Sequence, residues 1–109
     1  MARKNKWKTK VGRDCVSLDT ALARWLGERL TFLAEHSNGV PQQFIEVSGI
    51  ADTDMAHDQW RKEMREAGEA LSKYGKVYDI DTVEEAQAVT VKAVDAMEWV
   101  AEWFLGLWD

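Results

Sequence analysis

Four carboxylates stand in two pairs at one-turn helical spacing: Glu66 with Glu69, and Asp95 with Glu98. Residues three apart share a helix face, so two such pairs on facing helices could offer the oxygen ligands that magnesium takes. Glu66 and Glu69, however, fall at the edge of, or opposite, the apolar stripe of their own segment. Lys62, Arg65 and Lys73 stand four positions from one or other of them, which favours solvated ion pairs over a metal site. Nucleophilic chemistry has less to work with. Cys15 sits where a basic arm meets the first helix, and His36 and His57 fall in helix-end turns with nothing to orient them. One cysteine and two histidines are too few for a zinc site, and the seven glycines are scattered rather than gathered into a phosphate loop. The sequence therefore assigns no catalytic residue, no metal ligand and no cofactor.

The acidic pairs nonetheless resemble the pattern of MazG-like nucleotide pyrophosphohydrolases, Glu-x-x-Glu followed by Glu-x-x-Asp on a later helix. The resemblance implies a magnesium-dependent enzyme holding its metal through Glu66, Glu69, Asp95 and Glu98. The second pair departs from it, reading Asp-x-x-Glu in reversed order.

Aromatic rings offer a different chemistry. Six tryptophans in 109 residues are many, and each can fill a core or anchor an interface. Trp25, Trp60, Trp99, Trp103 and Trp108, with Tyr74 and Tyr78, could stack on a planar base between subunits while Arg24, Arg29 or the N-terminal arm neutralised phosphates. The candidate ligand or interface residues are accordingly Trp25, Arg29, Trp60, Trp99, Trp103, Phe104 and Trp108. Core burial is the competing role for each ring.

Helices must position these groups. Ser17 caps a first helix with Leu18, Leu22, Trp25, Leu26, Leu30 and Leu33 as its core stripe, ended by Gly39 and Pro41, with a left-handed residue expected in Ser37–Pro41. Residues 42–52 could be strand, helix or loop. Asp52, Thr53 or Asp54 opens a second helix carrying Ala56, Trp60, Met64, Ala67, Leu71 and Tyr74, which Gly75 closes. Asp81 and Glu84 read as a capping box for the last helix. There Val83, Ala86, Thr90, Val94, Met97, Ala101, Phe104 and Trp108 line one face, with further rings at Trp99 and Trp103. The last helix is expected to be the longest and to organise the fold, and its over-apolar end predicts a homo-oligomer packed through it. The fold class is all-α: an antiparallel three-helix bundle (15–109) with a long C-terminal helix, preceded by a flexible basic arm over residues 1–14.

That arm carries Arg3, Lys4, Lys6, Lys8, Lys10 and Arg13 with no acid among them, so a formal net charge of -5 divides into +6 there and about -11 over the remainder. An acidic body argues against nucleic-acid binding except through the arm. The single cysteine and the lack of an apolar signal region predict a reducing cytoplasm, and no stretch is apolar enough to span a membrane.

The helix Trp60–Gly75 (WRKEMREAGEALSKYG) and the closing WFLGLWD resemble small all-helical bacteriophage proteins. The resemblance implies a phage setting inside a host cell and supplies no functional residues. Together these features predict a non-enzymatic protein that self-associates and inhibits a host defence component, by sequestering a nucleotide-like signal or by blocking a protein. The alternatives are the pyrophosphohydrolase, with magnesium, and a small virion assembly component.

Overall fold

Trp60, Met64 and Leu71, the largest fully buried side chains, recur at four- and seven-residue steps on one helix, α4 (Thr53–Tyr74). Three of the remaining helices pack around that row. The computed structural model describes residues 5–108. Among them are four further α-helices, α1 (Lys10–Val16), α2 (Leu18–His36), α3 (Gln42–Ser48) and α5 (Val83–Glu102), and three short 3-10 turns. No strand occurs among the described residues. Both α2 and α5 run antiparallel to α4. Arg24 meets Gly75 and Arg61 meets Ala34 along the first pair, while Trp60 meets Trp103 and Glu63 meets Trp99 along the second. The bundle is thus the expected one, but its organising helix is α4 rather than α5.

Glycine sets how α2 lies on α4. The face turned inward is Thr20, Ala23, Gly27, Leu30 and Ala34, whereas Leu18, Leu22 and Trp25, expected in the core, are exposed. A Cβ on Gly27 would stand 2.8 Å from the Gly68 carbonyl oxygen, and one on Gly68 would stand 2.9 Å from the Thr31 backbone nitrogen. Two backbones this close admit only small side chains between them, so the leucine stripe is rotated off the contact. The same rotation governs α5. Ala93, Ala96 and Val100 face α4, and Val83, Val94 and Phe104 are exposed.

Polar side chains set the helix ends. The Asp52 carboxylate accepts the Met55 N–H at 3.0 Å to open α4. Thr82 accepts the Glu85 N–H at 3.2 Å to open α5, one residue beyond the Asp81–Glu84 box read from the sequence. At the end of α2 no residue of Ser37–Pro41 is left-handed. Arg61 reaches across from α4 instead, its Nε and Nη2 each donating at 2.7 Å, to the carbonyls of Ala34 and Glu35. A cation placed there also meets the negative end of the α2 dipole. The one positive φ among the described residues, 71° at Gly49, closes α3, which Pro41 opens. Residues 42–48 are therefore helix.

At the N-terminus the Thr9 hydroxyl accepts the Gly12 N–H at 3.0 Å and starts α1, so part of the span read as an irregular arm is helical. Gly12 is required there, because a Cβ would collide with the Lys6 carbonyl oxygen. Of the basic residues, Lys6, Lys8, Lys10 and Arg13 are exposed, and Arg3 and Lys4 lie outside the described residues.

The outline is flat and long, 63 × 38 × 20 Å, with a radius of gyration of 17.0 Å. A compact domain of this length has about 13 Å. No helix among the described residues is long and apolar enough to cross a membrane.

Candidate functional site

An aromatic cluster forms where α3, α4 and the segment after α5 meet. Phe44 lies 5.1 Å from Trp60 and 5.3 Å from Trp103, and Trp60 lies 5.2 Å from Trp99 and 5.8 Å from Trp103, ring centre to ring centre. The tail makes this possible by leaving the helix at Trp103 and turning through Phe104–Gly106, where Gly106 seats against Pro41 and the Trp60 ring. Trp60 is fully buried and Trp103 is 5% exposed. Both therefore serve the core and are closed to a ligand or a partner, a correction to their place among the candidates. Edge-to-face packing of this kind adds to the area that the rings bury, and the buried Trp60 N–H is left without a protein partner.

Trp99 is half-buried at the edge of the cluster, and its N–H donates to Glu63 at 3.0 Å. Glu63 also accepts from the Gln59 amide at 2.9 Å. It belongs to a groove of about 500 Å³ between α4 and α5, which Glu66, Glu69 and Asp95 line alongside Lys73 and Lys92. The carboxylates singled out from the sequence are thus partly gathered: three share a groove and Glu98 does not line it. Among the described residues no three of His, Cys, Asp and Glu stand where they could hold a metal ion together. The anticipated pairs Lys62–Glu66, Arg65–Glu69 and Glu69–Lys73 are not closed either. Among the described residues the one ion pair joins Arg29 to Glu28, at 3.9 Å. Lysines interleaved with separated acids make this groove a mixed-charge surface.

The second groove differs in kind. It encloses about 270 Å³ between α2 and α5, over α4, and is lined almost wholly by apolar groups: Leu22, Ala23, Leu71, Ala93, Val94 and Met97, joined by Asp19, Tyr74 and Thr90. Tyr74 donates its hydroxyl to the Asp19 carboxylate at 2.6 Å. That bond holds the Asp19 carboxyl below its ordinary range and, read from the other partner, raises the Tyr74 hydroxyl above its own. Neither residue is marked by a sequence motif, because the contact joins positions 55 apart.

Further apolar side chains on the two flanking helices are exposed, of which Leu22, Val94 and Met97 line this groove. Leu18, Leu22, Trp25 and Phe32 on α2, with Val91, Val94 and Met97 on α5, remain exposed. Trp25 carries the Arg29 guanidinium 4.2 Å above its ring centre, and Arg29 Nη1 donates to the Trp25 carbonyl at 3.0 Å. One face of the indole is therefore occupied within the chain. Phe104 is exposed, and the half-exposed Trp108 packs its ring edge on Gly39. Of the seven candidates, Trp25, Arg29, Phe104 and Trp108 are accessible, Trp99 partly so, and Trp60 and Trp103 not. His36 stacks on Phe32 at 4.1 Å and its Nδ1 meets the Phe32 carbonyl at 2.8 Å. Cys15 is exposed on α1. No protein-family model, curated protein or solved structure matches the chain.

Proposed function

We propose that this protein works by binding rather than by catalysis, with the apolar face between α2 and α5 as its working surface. It self-associates through that face, α5 included, and engages a host defence component by sequestering a nucleotide-like signal or blocking a protein. The observation that supports this is the exposure of Leu22, Trp25, Val94 and Met97 around an apolar groove, since contiguous patches of this kind usually mark interaction sites. The phage setting rests on the likeness of Trp60–Gly75 and of the closing WFLGLWD to small helical phage proteins. Native mass spectrometry of the gently purified protein, alone and after passage through host lysate, tests the proposal. An oligomer that retains a small molecule or a host protein is expected. A monomer retaining neither overturns it.

A further inference from the structure

We infer that the N-terminal element, the 3-10 turn Lys6–Lys8 together with α1, is a binding surface for single-stranded nucleic acid. Trp7 stacks on an unpaired base there, and Lys6, Lys8 and Arg13 meet the flanking phosphates. This surface is separate from the face between α2 and α5, and the inference does not depend on self-association.

The first observation is that the element adds nothing to the core. Neither the turn nor α1 buries a side chain, and its packing on the rest of the chain is chiefly with α2. Trp7, its one large ring, is 52% exposed. The fold therefore gives this indole no role of its own.

The second observation is that local hydrogen bonds shape the element and gather its cations around the ring. Asn5 accepts the Trp7 N–H at 3.0 Å, and the Thr9 hydroxyl donates to the Lys6 carbonyl at 2.7 Å while accepting the Gly12 N–H. The Lys6 ammonium lies 5.8 Å from the Trp7 ring centre. Arg13 Nη1 donates to the Lys8 carbonyl at 2.6 Å, and the other N–H groups of its guanidinium remain for a phosphate. No acid stands among residues 1–13. Lys10 shares its helix turn with Asp14, four positions on, which offsets it.

Chemistry selects the partner. An exposed indole among cations matches a base among phosphates, since stacking accepts any base and the phosphate contacts are electrostatic. Paired bases in a duplex are closed to such stacking. A rigid duplex would also carry further phosphates up to the body, whose formal charge beyond residue 13 is about -11, that is, -5 minus +6. A flexible strand can meet the arm alone. A lipid surface fits less well, because Val11 and Val16 on α1 stand about 140° apart around the helix and form no continuous face to insert.

The test uses the full chain and the fluorescence anisotropy of a labelled thymidine oligonucleotide of about 12 residues, within the range such sites cover. It is titrated at low salt and at about 0.15 M. The wild type should bind the strand more tightly than a duplex of equal length. Affinity should fall as salt rises with a log–log slope of about -2, roughly 0.7 for each of three phosphates. Trp7→Ala should weaken binding about fivefold or more, as the loss of one stacked base entails. Lys6→Glu with Lys8→Glu should nearly abolish it. Lys62→Glu with Arg65→Glu, the same change of net charge at exposed sites on α4, should weaken it far less, because those charges are screened from the arm. Every variant should keep its helical circular dichroism, since none of the substituted side chains is buried. Absence of binding at low salt overturns the inference. So does binding that is indifferent to Trp7→Ala, or no tighter to the strand than to the duplex, because the arm would then act as charge alone. Binding to vesicles of phosphatidylserine and phosphatidylcholine in place of the oligonucleotide overturns it in favour of a membrane surface. None of these outcomes reads the oligomeric state, so self-association stands or falls separately.

Discussion

Gly27 and Gly68 face one another where α2 crosses α4, each so placed that a Cβ would lie 3.0 Å or less from the other's carbonyl oxygen. Neither backbone can yield without separating the two helices. Gly27→Ala and Gly68→Ala should each destabilise the fold by about 1–3 kcal/mol through overpacking. The double variant should cost less than the sum, because the first methyl already forces the helices apart. Urea denaturation of the three variants checks both statements.

Arg61 should prove as important to the same helix pair. Its two donations at 2.7 Å satisfy carbonyls that the end of α2 would otherwise leave open. Arg61→Ala should cost about 2 kcal/mol or more and lower the thermal midpoint by roughly 10 °C. Arg61→Lys should recover less than half of that, because one ammonium lacks the planar fork that spans two carbonyls. Thermal melts by circular dichroism decide it.

The bond between Tyr74 and Asp19 imposes a pH dependence of two signs. Asp19 has a lowered pKa in the fold, so its contribution is present above the carboxylate's ordinary 3.8 and is lost as pH falls through the lower folded value. Tyr74 has a raised pKa, so its contribution is present below the ordinary 10.0 and is lost as pH rises through the higher folded value. Tyr74→Phe removes both. The gap in thermal midpoint between wild type and Tyr74→Phe should therefore be widest near neutrality and close at both extremes. A gap that stays constant from pH 3 to 11 would refute this assignment.

Separated carboxylates make a prediction about magnesium. Glu66, Glu69 and Asp95 share a groove with two lysines without converging on one point. Millimolar magnesium should leave the thermal midpoint of the wild type, Glu69→Gln and Asp95→Asn unchanged, since a ligand that binds the folded state raises it by mass action. A rise in the wild type that either substitution abolishes would favour the pyrophosphohydrolase instead.

Much of the fold was legible in local pattern. The α4 row of Ala56, Trp60, Met64, Ala67 and Leu71 was readable from its period, as were the Asp52 cap and the closure at Gly75. The facing of α2 and α5 was not. Both helices carry two rows at helical spacing, one small and one bulky, and hydrophobicity favours the bulky row. The decisive contact joins Gly27 to Gly68, two residues without side chains that hydropathy leaves unmarked. The clue was present in Ala23, Gly27 and Ala34, whose small size permits close approach. Arg61 and the Asp19–Tyr74 bond were hidden for another reason, because each joins residues far apart in sequence and is specified only once the helices are docked. Among the candidate residues, Trp60 and Trp103 were recognisable as aromatic anchors, but whether they anchored a core or an interface depended on where the chain turned after Glu102.

The extended outline carries a thermodynamic consequence. Heat capacity of unfolding follows the apolar area that folding conceals, and a single copy of this chain leaves more surface exposed, 7887 Å², than a compact chain of its length. Its stability curve should accordingly be shallow, with a heat-capacity increment below the 1.3–1.6 kcal/mol/K or about that range expected for 109 residues. If two copies pair, the missing increment returns at the interface. Calorimetric curvature would then grow with protein concentration, and the protein would be as temperature-sensitive as an ordinary globule only when it is not alone.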